Sequence, residues 1–207
     1  MTCIIAYIDK QGVYIGGDSA AVDEGDLSYN IRSDEKVFAK GEFIFGYSTS
    51  FRMGQLLRYK LRIPAHPKGM DNSQYMITLF VDAVKKCFED NDYTDMMTDT
   101  GGNFIVGYKG TLFTILSDYQ VAEPKENFAA LGCGDAFAIG AMFALTFAEK
   151  DANKRIPGDV EPKRFVEKDP IKKMEIALNA AVAFSMGVKP PFTYVKLLNK
   201  KRIIKKK

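Results

Sequence analysis

Residues 2–21, TCIIAYIDKQGVYIGGDSAA, contain two segments that favour β-structure, separated by a short turn. Residues 2–8 and 12–16 are rich in β-branched and aromatic side chains, and the DKQG between them has the composition of a turn. The stretch therefore predicts a β-hairpin. Its first strand begins with Thr2, directly after the initiator methionine.

Downstream, the pattern alternates between strands and pairs of helices. A weaker strand is expected at 28–33, a second hairpin in KVFAK and FIFGYS, and helices at 50–62 and 73–90, the latter with Ser73 as its N-cap. The order then repeats, with a hairpin of NFIVGY and TLFTIL, a strand near 127–132, helices near 134–149 and 170–186, and a last strand in FTYVKLL. The late helices are apolar over much of their circumference, which indicates burial on more than one side. This order predicts an α+β fold, a four-layer αββα sandwich in which two helical layers enclose two packed sheets.

Length and charge limit the possible functions. The 207 residues are 46% hydrophobic and fit one globular domain, expected to span 1–198, followed by a basic tail at 199–207. The last twelve residues contain seven basic side chains and no acidic one, so the net charge of +3 depends on this end. The rest of the chain is slightly acidic, which argues against nucleic acid as a partner. The charged, proline-bearing segment 149–169 is expected to be a surface excursion.

The sequence also argues for a reducing compartment without membrane contact. The apolar stretch at 136–148 is shorter than the roughly 20 residues that cross a bilayer, so we interpret it as a buried helix. Polar residues at 9–11 interrupt the first apolar run, unlike a secretory signal. Cys3, Cys87 and Cys133 are scattered and odd in number, which favours free thiols. We therefore expect a cytoplasmic protein.

The usual catalytic constellations find little support. His66, between two prolines, is the only histidine, so a Ser-His-Asp or Cys-His centre would depend on it. Nothing beside it supports such a centre, and we interpret it as an exposed loop residue. The cysteines lack the spacing of a metal site. GCGDAFAIG at 132–140 lacks the Lys and Ser/Thr ending of a P-loop and the spacing of a dinucleotide motif, so we set nucleotide binding aside.

Thr2 is a nucleophile that can supply its own base. If Met1 is removed, as a small second residue generally permits, Thr2 has a hydroxyl and a free α-amine with a reference pKa of about 7.7–8.0. The amine can accept the hydroxyl proton directly or through water. A lysine beneath it would favour the deprotonated forms of both groups, and a carboxylate would hold that lysine charged. Neighbouring strands could bring Asp18 and Lys36 to this position.

These motifs together resemble proteasome β-type subunits and HslV-type peptidases, which belong to the N-terminal-nucleophile hydrolase superfamily. The shared features begin with the threonine, an apolar strand, a turn and a strand that ends in Gly-Asp-Ser. A family lysine matches Lys36, and a glycine at a strand-to-helix corner matches Gly46. GCGDAFAIGAMFAL is similar to the family's Gly-Ser-Gly-like turn into a helix, and MEIALNAAVAFSMGV and FTYVKL are similar to its last helix and strand. The resemblance extends to about Leu198.

The resemblance implies a threonine endopeptidase with the αββα fold, acting through an acyl-enzyme ester on Thr2. In this scheme Lys36 tunes proton affinities, Asp18 orients Lys36, and the backbone N–H of Gly46 forms the oxyanion hole. It also implies stacked homo-oligomeric rings of six or seven subunits, polypeptide substrates, and an AAA+ unfoldase that uses ATP. The chemistry requires no cofactor. A structural monovalent cation, found in some relatives, is not assigned to any residue.

The sequence departs from the family pattern near the threonine. Cys133 and Asp135 stand where the family often has Gly or Ser, so either Asp135 replaces a hydroxyl in the proton network or the site is altered. Ser185 is the one clear counterpart of the Asp and Ser that support the amine. Two alternatives remain: a catalytically inactive ring or scaffold protein that keeps Met1, and a Cys3 nucleophile, which would require loss of both residues before it.

Overall fold

The computed structural model describes residues 1–22, 28–93, 102–152 and 166–199. The strands are β1 Ile4–Ile8, β2 Gly12–Gly17, β3 Ala20–Val22, β4 Tyr29–Ile31, β5 Val37–Lys40, β6 Phe43–Tyr47, β7 Phe104–Tyr108, β8 Thr111–Ile115, β9 Val121–Ala122, β10 Phe128–Leu131 and β11 Thr193–Leu198. The helices are α1 Phe51–Tyr59, α2 Asn72–Tyr75, α3 Val81–Glu89, α4 Asp135–Ala152 and α5 Pro170–Phe184, and a π-helical segment, Met76–Phe80, joins α2 to α3. Most of the predicted excursion at 149–169 and nearly all of the basic tail lie outside the described residues.

The strands form two antiparallel sheets that pack face to face. One sheet has the order β10-β1-β2-β11 and the other β5-β6-β7-β8-β9, while β3 and β4 form a separate ribbon. On β1, Ile4 and Ala6 point between the sheets, where they share a core with Ile44 of β6. Ile5 and Tyr7 point the other way and pack with α4 and α5. Successive side chains of β1 point to opposite faces of the sheet and enter two different cores, so both faces of this strand are buried.

The opposite sheet is covered by the earlier helices. Phe43 and Phe45 of β6 pack in one core with Phe80 and Phe88 from the α2–α3 region, and the Phe43 and Phe80 rings stack 5.5 Å apart. The layers thus run α4 and α5, first sheet, second sheet, α1 to α3. This arrangement confirms the predicted α+β class and the four-layer αββα sandwich.

Local sequence signals account for most of the turns and helix ends. The predicted β1–β2 hairpin is present, with Ile4 opposite Gly17. Lys109 and Gly110 join β7 to β8 with φ angles of 46° and 78°, as a type I′ turn requires. The predicted N-cap at Ser73 is wrong, because the Asp71 carboxylate two residues earlier accepts the capping hydrogen bond and α2 starts sooner.

His66 is a structural residue rather than an exposed one. Its imidazole is half-buried and stacks on the Tyr75 ring at 4.4 Å. Nε2 lies 2.8 Å from the Met70 carbonyl oxygen and Nδ1 lies 3.0 Å from the Tyr108 hydroxyl. In the neutral ring Nε2 therefore donates and Nδ1 accepts, and His66 fastens its loop to the second sheet.

One side of α4 is less covered than its composition predicts. Met142 packs against the first sheet, but Phe143 and Phe147 are each 57% exposed. Ile139 is also exposed and, four residues before Phe143, lies on the same face of the helix, so Ile139, Phe143 and Phe147 form the α4 surface. The prediction of burial on more than one side is therefore wrong for this isolated chain. Among the described helices, none is both long and apolar enough to span a membrane.

Candidate active site

A buried ion pair connects the two sheets at the end of the sandwich where β1 begins. Asp18 follows β2 and Lys36 precedes β5, so the pair comes from different sheets and not from neighbouring strands as predicted. Lys36 Nζ lies 2.8 Å from Asp18 Oδ1, and the two side chains are 1% and 0% exposed. Asp18 also accepts hydrogen bonds from the backbone N–H groups of Cys3, Ala20 and Lys189 at 3.0, 3.1 and 3.3 Å. The carboxylate thus ties three chain segments to one lysine.

Burial and the carboxylate act on Lys36 in opposite directions. Desolvation lowers the pKa of the ammonium, whereas the charge and hydrogen bond of Asp18 raise it. Burial is the larger effect, so the pKa of Lys36 lies below that of an ordinary lysine. Lys36 therefore gives up its proton in less alkaline solution than an exposed lysine does.

Thr2 lies in the chain segment that enters β1, and it lines the same cavity as Lys36. Its side chain is 5% exposed. Its hydroxyl Oγ1 donates to the Met1 carbonyl oxygen at 2.5 Å. While Met1 is attached, the Thr2 nitrogen is an amide and cannot serve as a base. The Thr2 hydroxyl and Lys36 therefore belong to one cavity, and Thr2 has a free amine only after the Met1–Thr2 bond is cleaved.

Cys133 connects Thr2 to Ser185. β1 pairs with β10 with Ile4 opposite Leu131, and extending this register places Thr2 opposite Cys133. The Thr2 N–H donates to Cys133 Sγ at 3.4 Å, and the same sulfur lies 3.3 Å from Ser185 Oγ. Among the described contacts, Ser185 thus reaches Thr2 through the thiol of Cys133. The sequence marked Cys133 as a departure from the family pattern, without a role.

Asp135 is not joined to Thr2. It is the first residue of α4, and its backbone N–H donates to the Gly132 carbonyl at 3.1 Å. Within the described part of the chain, its carboxylate has no hydrogen bond to Thr2.

Burial, followed by the charges of Asp18 and Asp135, raises the pKa of the Cys3 thiol. Cys3 is therefore held neutral and buried, which argues against the alternative cysteine nucleophile.

Gly46 lies inside β6 and not at the strand-to-helix corner. The Tyr47 N–H points to β5, where it donates to the Lys36 carbonyl at 3.0 Å. Because N–H directions alternate along a strand, the Gly46 N–H points to its partner Ile105 in β7. A methyl group on Gly46 would lie 2.6 Å from an Ile4 methyl. Gly46 therefore allows the two sheets to approach, and its N–H faces β7 instead of an oxyanion.

The corner lies at Ser48–Ser50, and Thr49 occupies it in the left-handed region with φ 75°. That conformation is rare for a β-branched residue and is typical of functional sites. The neighbouring Ser48 N–H donates to the Asn103 carbonyl, and the Ser50 N–H donates to the Ser48 carbonyl. The Thr49 N–H finds no partner among the described residues, and Thr49 lines the cavity that holds Thr2. Sequence reasoning missed this position because the residue is not a glycine.

The cavity has a volume of about 120 Å³ and is lined by Met1, Thr2, Ala21, Val22, Lys36, Tyr47, Ser48, Thr49, Ser50 and Phe51. A larger cavity of about 690 Å³ lies at the other end of β1, beside Asp9 and Glu126. In the part of the chain that the structure describes, no three His, Cys, Asp or Glu side chains cluster so as to hold a metal ion. The small cavity therefore combines the Thr2 hydroxyl, the buried Lys36 and a backbone N–H, that of Thr49, which has no partner among the described residues.

Solved structures with the same architecture define the class of this fold. Two structures of BPH from Thiobacillus denitrificans, the first in complex with epoxomicin, match with TM-scores of 0.68 and 0.66 at 15% and 17% identity. The matches cover 95% and 97% of this chain and 98% and 100% of those chains. HslV from Trypanosoma brucei matches with a TM-score of 0.63 at 18% identity, covering 95% of this chain and 99% of that one. No family model and no curated protein matches the sequence.

The chain thus has the proteasome-type fold of the N-terminal-nucleophile hydrolases. Within that class it is similar to HslV and to the bacterial proteasome homologue BPH, and the predicted resemblance is confirmed for the fold.

Proposed function

We propose that this protein is a threonine endopeptidase that acts through Thr2 once Met1 has been removed. The main support is the buried Asp18–Lys36 pair, whose lysine shares one small cavity with Thr2. An ammonium held there favours the deprotonated forms of a neighbouring hydroxyl and amine. The proteasome-type fold also supports the proposal, because it belongs to a class of hydrolases in which the first residue of the chain is the nucleophile.

The reaction has two steps. The Thr2 amine accepts the proton of Oγ1, directly or through water, and Oγ1 attacks the peptide carbonyl carbon. The Thr49 N–H, instead of that of Gly46, donates to the developing oxyanion. The protonated amine then gives its proton to the leaving nitrogen as the C–N bond breaks, leaving an ester on Thr2. Water, deprotonated by the same amine, hydrolyses that ester and restores the hydroxyl.

Hydrolysis of a fluorogenic peptide by the purified protein tests this function. We expect turnover, and we expect it to be blocked by epoxomicin, the compound in the BPH complex. N-terminal sequencing should then find Thr2 as the first residue of the active protein. A protein that begins at Thr2 and cleaves no peptide would contradict the proposal.

The pH dependence of peptide hydrolysis should reflect the lowered pKa of Lys36. We expect kcat/KM to rise with pH as the Thr2 amine loses its proton, below its reference pKa of about 7.7–8.0 because the Lys36 ammonium is near. We expect kcat/KM to fall again as Lys36 loses its proton, at a pH below the ordinary lysine pKa of about 10.4. At pH values between the lowered pKa of Lys36 in the folded protein and the ordinary lysine value, the unfolded chain binds more protons than the folded one. Lys36 therefore makes the free energy of unfolding increase with pH in this range. In the Lys36→Arg variant the alkaline fall of kcat/KM should shift to higher pH, because a guanidinium stays charged. If the alkaline fall occurs at the same pH in this variant, the role of Lys36 is contradicted.

Alkylation of Cys133 should inactivate the enzyme. Cys133 is exposed, whereas Cys3 and Cys87 are buried, so iodoacetamide is expected to add one group, at Cys133. The added group would displace the Thr2 amine from the contact that the sulfur makes with it. Cys133→Ser should retain most activity and resist the reagent, with the modification site read by peptide mass mapping. Full activity after complete alkylation of Cys133 would contradict this role.

The α4 surface supports the further proposal that the protein works as a homo-oligomer. Its three exposed apolar side chains share one face of the helix and form a patch of the kind that marks protein interfaces. We place the active sites inside stacked six- or seven-membered rings, with an AAA+ unfoldase supplying polypeptide substrates in the cytoplasm at the expense of ATP. Light scattering of the purified protein should give a mass of many subunits. A monomer would remove this part of the proposal.

An inactive ring or scaffold protein is the second candidate. The hydrogen bond from the Thr2 hydroxyl to the Met1 carbonyl oxygen favours it, because this contact fits a chain that keeps Met1. In that case the purified protein would keep Met1 and stay inactive with an unfoldase present. Mass and activity together therefore separate the two candidates.

A further inference from the structure

The sulfur of Cys133 and the nitrogen of Thr2 lie in direct contact. The Thr2 N–H donates to Cys133 Sγ at 3.4 Å, and the thiol donates to the Thr2 carbonyl oxygen at 3.5 Å. The pairing of β1 with β10 fixes the two backbones beside each other. Ser185 Oγ adds a third contact to the sulfur, at 3.3 Å. The sulfur is therefore held against the nitrogen that becomes the α-amine when Met1 is removed.

Cys133 is the one exposed thiol of the three cysteines. Cys3 and Cys87 are buried, and burial raises the pKa of both thiols, so they stay protonated and react poorly with oxidants. Gly187 leaves the Cys133 sulfur uncovered, because a methyl group there would lie 2.8 Å from Sγ. The same methyl group would overlap the Met1 side chain, which thus sits beside the sulfur. Removal of Met1 opens this side of the thiol to solvent.

A positive charge and a base near Cys133 favour its reactive form. The thiolate is the nucleophile of cysteine chemistry. Its negative charge raises the pKa of Lys36, so the thiolate and the Lys36 ammonium attract each other. The α-amine released with Met1 lies at the sulfur and can take up the thiol proton. One contact thus combines an accessible sulfur, a base and a nitrogen nucleophile.

We propose that the contact between Cys133 and Thr2 is an oxidative modification site, at which a peroxide joins the sulfur to the α-amine as a sulfenamide. The S–N bond removes the general base and so switches the peptidase off until a thiol reductant breaks it. This inference rests on the removal of Met1, which the proposed function requires. It adds a means of regulation that the fold does not define.

The bond forms in two steps. The thiolate attacks an oxygen of hydrogen peroxide, the S–O bond forms, the O–O bond breaks, and the leaving hydroxide takes the thiol proton and departs as water. The sulfur loses two electrons in this step, and the peroxide gains them. The Thr2 nitrogen then attacks the sulfenic sulfur, the S–N bond forms, the S–O bond breaks, and the hydroxide leaves as water with an amine proton.

A dithiol reverses the modification. Its first thiolate attacks the Cys133 sulfur, the S–N bond breaks, and the nitrogen takes a proton and becomes the amine again. Its second thiolate displaces Cys133 from the mixed disulfide. The dithiol is oxidised to a disulfide, and the Cys133 thiol is restored.

Intact mass before and after treatment with hydrogen peroxide tests the inference. The protein is first treated with a methionine aminopeptidase, so that the chain begins at Thr2. We expect the mass to fall by two hydrogen atoms and dithiothreitol to restore it. Trypsin without reductant should release residues 2–10 joined to residues 126–150. A gain of oxygen atoms without this cross-link, or no change in mass, would overturn the inference.

A disulfide between Cys3 and Cys133 would join the same peptides with the same loss of mass. Iodoacetamide treatment of the denatured, unreduced protein separates the two products. The sulfenamide leaves Cys3 and Cys87 free and so adds two groups, whereas the disulfide leaves only Cys87. The Cys3→Ala variant should still form the cross-link, and Cys133→Ser should not. One added group, or loss of the cross-link in folded Cys3→Ala, would overturn the assignment of the nitrogen.

Peptide hydrolysis is a separate readout of the same treatment. Complete cross-linking should lower kcat/KM by about 100-fold or more, because the general base is lost, and dithiothreitol should restore it. Cys87→Ser is the matched control and should respond as the wild type does, whereas peroxide should leave the activity of Cys133→Ser at its own untreated value. Undiminished hydrolysis by fully cross-linked protein would overturn the regulatory role. A cross-link in a protein that cleaves no peptide would support the modification and contradict only the peptidase function.

Discussion

Thr2→Ala is expected to abolish peptide hydrolysis, with a loss in kcat of about 10⁴-fold or more, because the other hydroxyls that line the cavity do not share a residue with the amine base. The methyl side chain removes Oγ1 and leaves the backbone amine in place. Among the described residues the Thr2 side chain makes one hydrogen bond, to the Met1 carbonyl oxygen, so the variant should keep its fold. The measurement is single-turnover hydrolysis of a peptide that the wild-type protein cleaves.

Thr2→Ser is the matched control for this variant. It retains a hydroxyl and an amine on one residue and should keep a measurable part of the activity. Circular dichroism and light scattering should show that both variants fold and assemble as the wild type does. Activity of Thr2→Ala within tenfold of the wild-type value would assign the hydrolysis to another residue.

Asp18→Ala is expected to reduce the free energy of unfolding by about 3–5 kcal/mol, because it leaves Lys36 buried without its partner. The backbone N–H groups of Cys3, Ala20 and Lys189 lose their acceptor as well. Peptide hydrolysis should fall together with stability, since Lys36 is no longer held in position. Urea denaturation at neutral pH measures the loss.

Asp34→Ala is the control for this second variant. Asp34 also forms an ion pair, with Arg32 at 2.6 Å, but both side chains are more than a third exposed. Exposed pairs contribute about 0–1 kcal/mol, so this variant should be close to the wild type in stability. Equal losses in Asp18→Ala and Asp34→Ala would contradict the structural role assigned to the buried pair.

The sequence was sufficient to predict the fold, because its signals are local and repeated. Alternating apolar residues, turn compositions and helix periodicity each specify an element without reference to the rest of the chain. The solvent exposure of α4 could not be predicted, because the composition of an apolar helix does not show which of its faces is exposed in a single subunit. The N-cap at Ser73 failed for a related reason, because Asp71 competes for the same backbone donors.

The candidate site was only partly predictable. Thr2, Asp18 and Lys36 follow from a motif and from acid–base chemistry, and the structure brings the carboxylate and the lysine together at the cavity that Thr2 lines. Which backbone N–H can donate to the oxyanion depends on the residue at which β6 ends. The sequence alone does not distinguish a glycine inside a strand from a glycine at the corner that follows it. Gly46 was therefore assigned a role that Thr49 fits better. Asp135, expected in the proton network, makes no hydrogen bond to Thr2 within the described chain.

The role of Cys133 depends on strand pairing, which a single sequence does not reveal. Thr2 and Cys133 are 131 residues apart and meet because β1 and β10 pair in one particular register. Ser185 was predicted from the resemblance alone, and its contact with the site passes through this thiol. Residues that act through a neighbour are thus harder to find from sequence than the nucleophile itself.

The most direct test of the central claim follows peptide hydrolysis and intact mass before and after removal of Met1. Protein that still carries Met1 can be treated with a methionine aminopeptidase, and the two forms compared with the same peptide. The proposed mechanism predicts that activity rises in proportion to the fraction of chains that begin at Thr2. Equal hydrolysis by the form that retains Met1, or none by the form that begins at Thr2, would contradict it.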